Sequence, residues 1–539
     1  MQIFGLFRKL IHIDQHAQSF KEAIDFINGM KNNKFLMIIA AAFVVLGTTS
    51  CGDDFLTASS TEKQEAGGAA TEGAILSNLG SAYQILLFDS YANNNYNSVP
   101  LMSDLRSDDI YKGGGDAGDQ GQLYKLSQFT SSADENITGL WSIYYTGLAR
   151  CNNVIIACGN AVNVPEARLE QYKAEAHFLR AYYVHLLWKF WGNIPYFEEP
   201  LTSAPYMAKQ FKADDIYKEI MEDIDFAATE GKLPMKVSAA NTGRVSRAAV
   251  LMLKARVVLY QKDASRYAEL AKDMEELIST GGYDLYSNFD AMWNDENEFC
   301  VESIFESNQL PEGKTWSSGW QGYGTNLPAF ISPNGLTDPA EVFKGGWGFG
   351  PVRQAAYAVY EDGDTRLAGS INAWPEGSYT PRFQDTGLFM RKYSARIGYN
   401  PPPGDQDLNY CNNVRIFRFA EALLNYAELV VIHGQTEVNG LSAQSCLDRI
   451  RKRAFGADNS IPATAENIKL ERRREFLGEG MRFWDIVRWG DTSLLNDNDA
   501  AHNSVRTWND YMKYLPIPQG ELDKTKGTEY ELEQNTGWN

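Results

Sequence analysis

The sequence predicts a mostly α-helical fold of tetratricopeptide-like helical repeats, interrupted by one large irregular, loop-rich insertion. Three observations predict it. Apolar residues recur at steps of three and four along eight separate stretches. Helix starts at about 136 and 167, and again at about 213 and 244, lie roughly 31 residues apart, close to the roughly 34-residue tetratricopeptide period. Residues 281–414 then break the pattern for longer than a structureless loop in a compact domain runs. Spacing alone leaves open an ordinary helical array without true repeats.

The chain begins with a leader-like region. Met30-Lys-Asn-Asn-Lys34 is basic, and Phe35 to Leu46 is an uncharged apolar run of 12 residues. Gly47-Thr-Thr-Ser50 then precedes Cys51. That is the order of an export signal, and the run is shorter than the roughly 20 residues needed to span a bilayer. Residues 1–50 are therefore expected to be a signal peptide, with Met30 as the true start. A core helix over residues 35–46 is the competing reading.

The cysteine after small residues resembles a bacterial lipoprotein cleavage site. Thr48, however, holds the place where that pattern has Leu, and Leu46 lies five residues before Cys51. Cys51 is expected to carry the lipid. Acyl chains contribute ~0.8 kcal/mol per buried CH₂ and anchor without a transmembrane helix. Residues 51–73, small, polar and Gly-rich, read as a flexible tether. The Asp53-Asp54 pair resembles the export signal of surface-exposed lipoproteins.

Residues 74–280 form the expected N-terminal helical part. Its helices run from about Asn136 to Ile156, then through Leu169, Tyr172, Ala176, Leu179, Tyr183, Leu186 and Phe190, ended by Gly192 and Pro195. Ile216, Ile220, Ile224 and Ala227 mark a third helix, and Val245 to Leu259 a fourth. Tyr267, Leu270, Met274 and Leu277 mark a fifth, stopped by Gly281-Gly282. Within it, residues 88–126 are irregular. In the insertion, residues 281–414, Val301–Phe305 is strand-like. Five of the chain's 12 Trp fall there, namely Trp293, Trp316, Trp320, Trp347 and Trp374.

Residues 415–539 are the expected C-terminal helical part. A sixth helix is read through Ile416, Ala420, Leu423 and Ala427, and a seventh through Ala443, Leu447, Ile450 and Ala454. Small residues (Ala248, Ala255, Ala420, Ala427) recur where helices must approach closely. The stretch from Glu471 to Gly490 is two helical pieces around Gly478 and Gly480, with Phe483, Trp484 and Val487 on one face. Glu479, Arg482, Asp485 and Arg488 stand three apart in alternating sign, each local pair worth ~0.2–0.5 kcal/mol. Dense Arg and Glu beside bulky rings predict a network that holds helices together rather than chemistry.

The composition excludes several functions. A net charge of −19 and a pI near 4.9 argue against nucleic acid. Six cysteines without a CxxC pair give neither a disulfide framework nor a zinc ribbon. Gly313-Lys314-Thr315 ends like a phosphate loop, but Asn308 replaces its first Gly. Asp405-Gln-Asp-Leu-Asn409 starts like a calcium loop, but Tyr410 occupies the Gly turn. No cofactor and no metal site is expected, with a structural calcium elsewhere left open. His177 and His185 read as packing or surface residues. Nothing singles out the paired carboxylates that glycoside hydrolysis needs.

Several ordered motifs are recognisable together. They are Arg180-Ala-Tyr-Tyr with the aromatic run to Gly192-Asn-Ile-Pro195, Gly243-Arg-Val-Ser-Arg-Ala-Ala249 and Arg415-Ile-Phe-Arg-Phe-Ala-Glu-Ala-Leu-Leu-Asn-Tyr-Ala-Glu428. Arg449-Ile-Arg-Lys-Arg-Ala454, the 471–490 stretch, Leu515-Pro-Ile-Pro518 and Gln534-Asn-Thr-Gly-Trp538 follow. In this order they resemble the SusD/RagB family of outer-membrane nutrient-binding lipoproteins, over essentially the whole chain from Cys51.

The resemblance implies a SusD-like helical fold with a loop-rich ligand face. It implies a lipid anchor in the outer membrane, facing the exterior, and pairing with a SusC-like TonB-dependent barrel. It further implies non-catalytic capture of glycan and delivery to that barrel. The alternatives are a peptide or other nutrient taken by the same lid mechanism, a secreted helical-repeat scaffold, or a hydrolase.

A sugar ring stacks its apolar face on aromatic side chains and offers its hydroxyls to polar ones. The candidates for ligand contact are therefore Tyr96, Trp316, Trp320, Tyr323, Trp347 and Trp374, with Asn94, Asp104 and Asp108. The shared motifs read as scaffold.

Overall fold

The computed structural model describes residues 68–538 apart from 89, 202–204 and 318. The expected leader, Cys51 and most of the tether lie outside the described residues. The principal helices are α1 (Glu72–Gln84), α2 (Thr138–Gly159), α3 (Glu166–Trp191), α4 (Ala213–Ala228) and α5 (Arg247–Gln261). They continue with α6 (Tyr267–Thr280), α7 (Phe419–Val431), α8 (Ala443–Phe455), α9 (Ala465–Phe476) and α10 (Arg482–Trp489). Among the described residues no helix is long and apolar enough to cross a membrane.

Capping chemistry sets several helix ends. The side chains of Thr71, Ser246, Ser442 and Thr464 accept backbone N–H groups at the starts of α1, α5, α8 and α9, each such cap contributing about 1 kcal/mol. Helix α1 begins inside the stretch read as tether, because Thr71 caps it there.

Successive helices stack on one another: α1 on α2, α2 on α3, and so on through α6. The stack then resumes as α6 packs on α7, although the whole 281–414 insertion lies between them, and α7 packs on α8 and α9. This is the tetratricopeptide-like arrangement expected. The small residues do what their size predicts: Ala248, Ala255, Ala420 and Ala427 are all fully buried. Gly147 has the same role on α2, where a Cβ would overlap the Tyr183 ring of α3. From Phe178 to Trp191 every residue of α3 is buried, so it is the central helix and not a one-sided amphipathic one.

One expectation fails at the junction. Ile416 lies on a strand, Ser303–Ser307 pairing antiparallel with Val414–Arg418, and α7 starts only at Phe419. The first strand begins two residues later than the expected Val301. Val-Arg-Ile-Phe-Arg favours a fully buried strand, and Ser303 opposite Arg418 closes the base of the insertion.

The ions near α9 and α10 also depart from the local pairs expected. Asp485 and Arg488 do pair. Glu479 instead accepts from Arg418 at 2.7 Å and Lys392 at 2.6 Å, while Arg482 reaches Asp108. Arg418 bonds Glu302 (2.5 Å) and Glu475 (3.1 Å), and Arg453 reaches the same two carboxylates. Burial alone would push the Glu475 carboxyl up, but Arg453, Arg418 and Arg366 hold it well below the usual carboxylate range. These charges join β-strand, insertion and helices, as the scaffold reading requires.

Candidate functional site

The candidate site is built where three irregular segments meet. The first is a hairpin, Tyr91–Ala92 against Asn95–Tyr96. Its two turn residues, Asn93 and Asn94, have φ of 48° and 59°, a left-handed pair that Asn tolerates and tight hairpins need. That turn puts Tyr91 opposite Tyr96.

The second segment is the loop from Gly313 to Gly322, which closes on itself. Both glycines have positive φ, and a Cβ on Gly322 would overlap Lys314. The loop carries Trp316, 42% exposed, and half-buried Trp320. The third segment contributes Trp347, whose backbone N–H donates to Ala329 at 2.7 Å.

Together these make an aromatic platform. The Trp316 and Trp347 ring centroids are 6.0 Å apart with planes 29° from parallel. Tyr91 meets Trp316 edge-on at 5.7 Å, and Tyr96 meets Trp347 edge-on at 5.6 Å. Phe330, buried behind them, touches Tyr96 at 5.0 Å and Trp347 at 5.1 Å. The Tyr91 hydroxyl donates to the Trp316 carbonyl at 2.7 Å and lies 3.2 Å from Asn94 Oδ1.

A further segment holds the Trp316 backbone and the Trp347 indole. Asp405 Oδ2 accepts the Trp316 backbone N–H at 3.1 Å, and Asp407 Oδ2 accepts the Trp347 indole N–H at 3.2 Å. The stretch that began like a calcium loop thus positions tryptophans. Arg382 donates to the Trp347 carbonyl at 2.9 Å. Burial raises the Tyr91 and Tyr96 phenols above their usual range, so both are neutral donors at neutral pH. A groove of about 170 Å³ beside the platform is walled by Tyr96, Asp119, Gln120, Trp347 and Arg382, with Phe330 and Phe349 at its base. Preformed apolar faces rimmed by polar groups suit a flat, hydroxylated ligand.

The expected residues divide accordingly. Tyr96, Trp316 and Trp347 come together, with Asn94 at the hairpin tip. Trp320 lies on the same loop as Trp316, edge-on to Phe88 at 5.4 Å. Tyr323, 43% exposed, directly follows that loop, its backbone paired with Leu310 and Glu312. Trp374 belongs elsewhere, its backbone N–H donating to the Gly387 carbonyl and its ring against Phe343.

Two carboxylates are corrected. Asp104 is 1% exposed and accepts the Gly480 N–H at 3.0 Å, which takes it away from any ligand. Burial, then Asp109, pushes its carboxyl well above the usual range. Asp108 is bidentate to Arg482 at 2.7 and 3.0 Å, so its charge is already matched. It lines a separate cleft of about 640 Å³ in which Arg353 pairs with Asp497 and Arg473 with Asp109.

Sequence reasoning missed Tyr91, Phe330, Asp405 and Asp407 as parts of the platform. Among the described residues no group of three or more His, Cys, Asp and Glu is placed to hold a metal.

Known proteins resemble this chain over most of its length. The SusD family model matches residues 365–538, and a family described as starch-binding associating with outer membrane matches residues 54–259. Surface glycan-binding protein A from Bacteroides fluxus is 70% identical, with a TM-score of 0.85, over 87% of this chain and 100% of that one. Surface glycan-binding protein A from Bacteroides thetaiotaomicron, solved in complex with laminarihexaose, is 36% identical with a TM-score of 0.80, over 86% and 100%. A SusD-like protein of Bacteroides ovatus is 25% identical over 70% of each chain. With both ends matched by family models and near-complete overlap with such relatives, the chain belongs to the SusD/RagB family.

Proposed function

We propose that this protein captures glycan at the outer face of the outer membrane and delivers it, chemically unaltered, to a SusC-like TonB-dependent barrel. The observation that carries this reading is the Trp316–Trp347 platform with Tyr91 and Tyr96 at its edges. The similar protein solved with laminarihexaose supports an oligosaccharide as its ligand. Tryptophans held by backbone and carboxylate bonds pay little ordering cost on binding.

In the same reading, residues 1–50 are the export signal with Met30 as start, Cys51 carries the lipid and residues 51–73 are the tether. Residues 74–280 and 415–539 are the scaffold, and residues 281–414 supply most of the ligand face. Trp320, Tyr323 and Asn94 extend the platform's rim. The protein needs no cofactor and performs no catalysis.

Incubation of purified protein with oligosaccharide and peptide panels tests this. Binding of oligosaccharides without new reducing ends is expected. Tight binding confined to peptides, or steady release of shorter sugars, would replace it with the peptide or hydrolase reading.

A further inference from the structure

The groove beside the platform holds about 170 Å³, below the ~300–1,000 Å³ of ordinary ligand sites. A second groove of about 360 Å³ shares Tyr96 as a wall. The opposite walls are also continuous: Asp119 and Gln120 border the first groove, and the next two residues, Gly121 and Gln122, border the second. On the other side Asn95 follows the same hairpin strand as Tyr96. The two hollows therefore adjoin along the strand at 95–96 and the segment 119–122, with Tyr96 a wall of both. Together they reach the size of an ordinary site.

The two arms differ in chemistry. The first has four rings, Tyr96, Trp347, Phe330 and Phe349, beside the polar Asp119, Gln120 and Arg382. In the second, Tyr96 is the sole ring, and Asn95, Gln122, Asp134 and Thr138 supply amide, carboxylate and hydroxyl groups. Asp134 and Thr138 are exposed, and Asn95 and Gln122 are half-exposed. Such a lining does not stack rings but does bond hydroxyls.

Accepting the glycan-capture reading, we propose that the second arm is a binding subsite for sugar units further along the same chain. The aromatic arm grips a few rings by their faces. The polar arm reads the hydroxyls of the units that pass Tyr96. Affinity then depends on chain length, which favours long oligosaccharides over the short products of their digestion. One to two added hydrogen bonds of ordinary strength amount to roughly tenfold in Kd.

Gly121 gives a clean test. A Cβ there meets nothing within 4 Å, and its φ is not in the left-handed region. Gly121→Trp should fill the polar arm without disturbing the fold, and Gly121→Ala is its control. Calorimetry with laminaritriose and laminarihexaose should show the hexaose about tenfold tighter for the native protein and for Gly121→Ala. Gly121→Trp should bring the two sugars to equal affinity at the triose value, with its melting temperature unchanged. Asp134→Ala, at an exposed position, should lower the hexaose preference several-fold. Equal binding of both sugars by the native protein, or a full hexaose preference in Gly121→Trp, would overturn the subsite while leaving the platform intact. Failure of the native protein to bind these sugars or any other oligosaccharide would overturn the capture reading, and the subsite with it.

Discussion

Asp407 accepts the indole N–H of Trp347 at 3.2 Å from 60 residues away in sequence. This bond orients a ring that otherwise packs against Tyr96, Phe330, Trp316 and the cluster of Ala329, Ala395 and Tyr410. Asp407→Ala should leave the fold intact and let the indole turn. A hydrogen bond of this kind contributes about 1 kcal/mol, so glycan affinity should fall roughly fivefold. Unchanged affinity in calorimetry would show that packing alone sets the ring.

Trp316 is the exposed member of the platform, at 42%. Trp316→Ala should weaken binding about tenfold or more, as loss of a central aromatic contact does. It should change unfolding free energy by no more than about 1 kcal/mol, because little of the ring is in the core. A large loss of stability with unchanged binding would assign the ring to packing.

How much of this was legible in the sequence depends on the range of the interaction. Helix α3 shows in the steps from Leu169 to Phe190, and Gly478 and Gly480 mark the break before α10, because those signals are local. Trp316 and Trp347 stood out as large aromatics in a Gly-rich insertion. Asp405 and Asp407 did not, since their partners lie 89 and 60 residues away. Tyr91 lies in the irregular stretch 88–126 and Phe330 in the insertion, and nothing local marks either as a ring of the platform. Asp104 and Asp108 carry the right chemistry for sugar but serve Gly480 and Arg482, again from far along the chain. Ile416 fits a helical step as well as a strand, and only the pairing partner at 303–307 decides between them.

Arg418 is the hub of the buried charges, bonding Glu302, Glu475 and Glu479. Arg418→Met should destabilise by about 3–5 kcal/mol, since three buried carboxylates lose a partner. Denaturant unfolding measures this. A change below about 1 kcal/mol would mean that Arg453, Arg366 and Lys392 suffice.

Acid should unfold the protein through the same network. Burial opposes ionisation of Glu428, Glu475 and Glu479, but Arg488 for the first, Arg453 with Arg418 for the second and Arg418 with Lys392 for the third hold all three below their usual range. Their contribution is complete above the unfolded Glu value of about 4.3 and is lost as pH falls below it. Glu298, raised chiefly by burial to about 8, has the opposite sign and loses stability as pH rises from about 4.3 to 8. Melting temperature should therefore drop steeply below about pH 4. A flat profile down to pH 3 would contradict the network's role.

Cys51→Ala should abolish acyl labelling and release the protein from membranes. Unchanged attachment would remove the lipid anchor from the account.

Titration of laminarihexaose into the native protein beside Trp347→Ala probes the glycan platform most directly. Saturable binding by the native protein, weakened at least about tenfold in the variant, is the predicted result. Equal binding by the two proteins, or no heat with either, would contradict it.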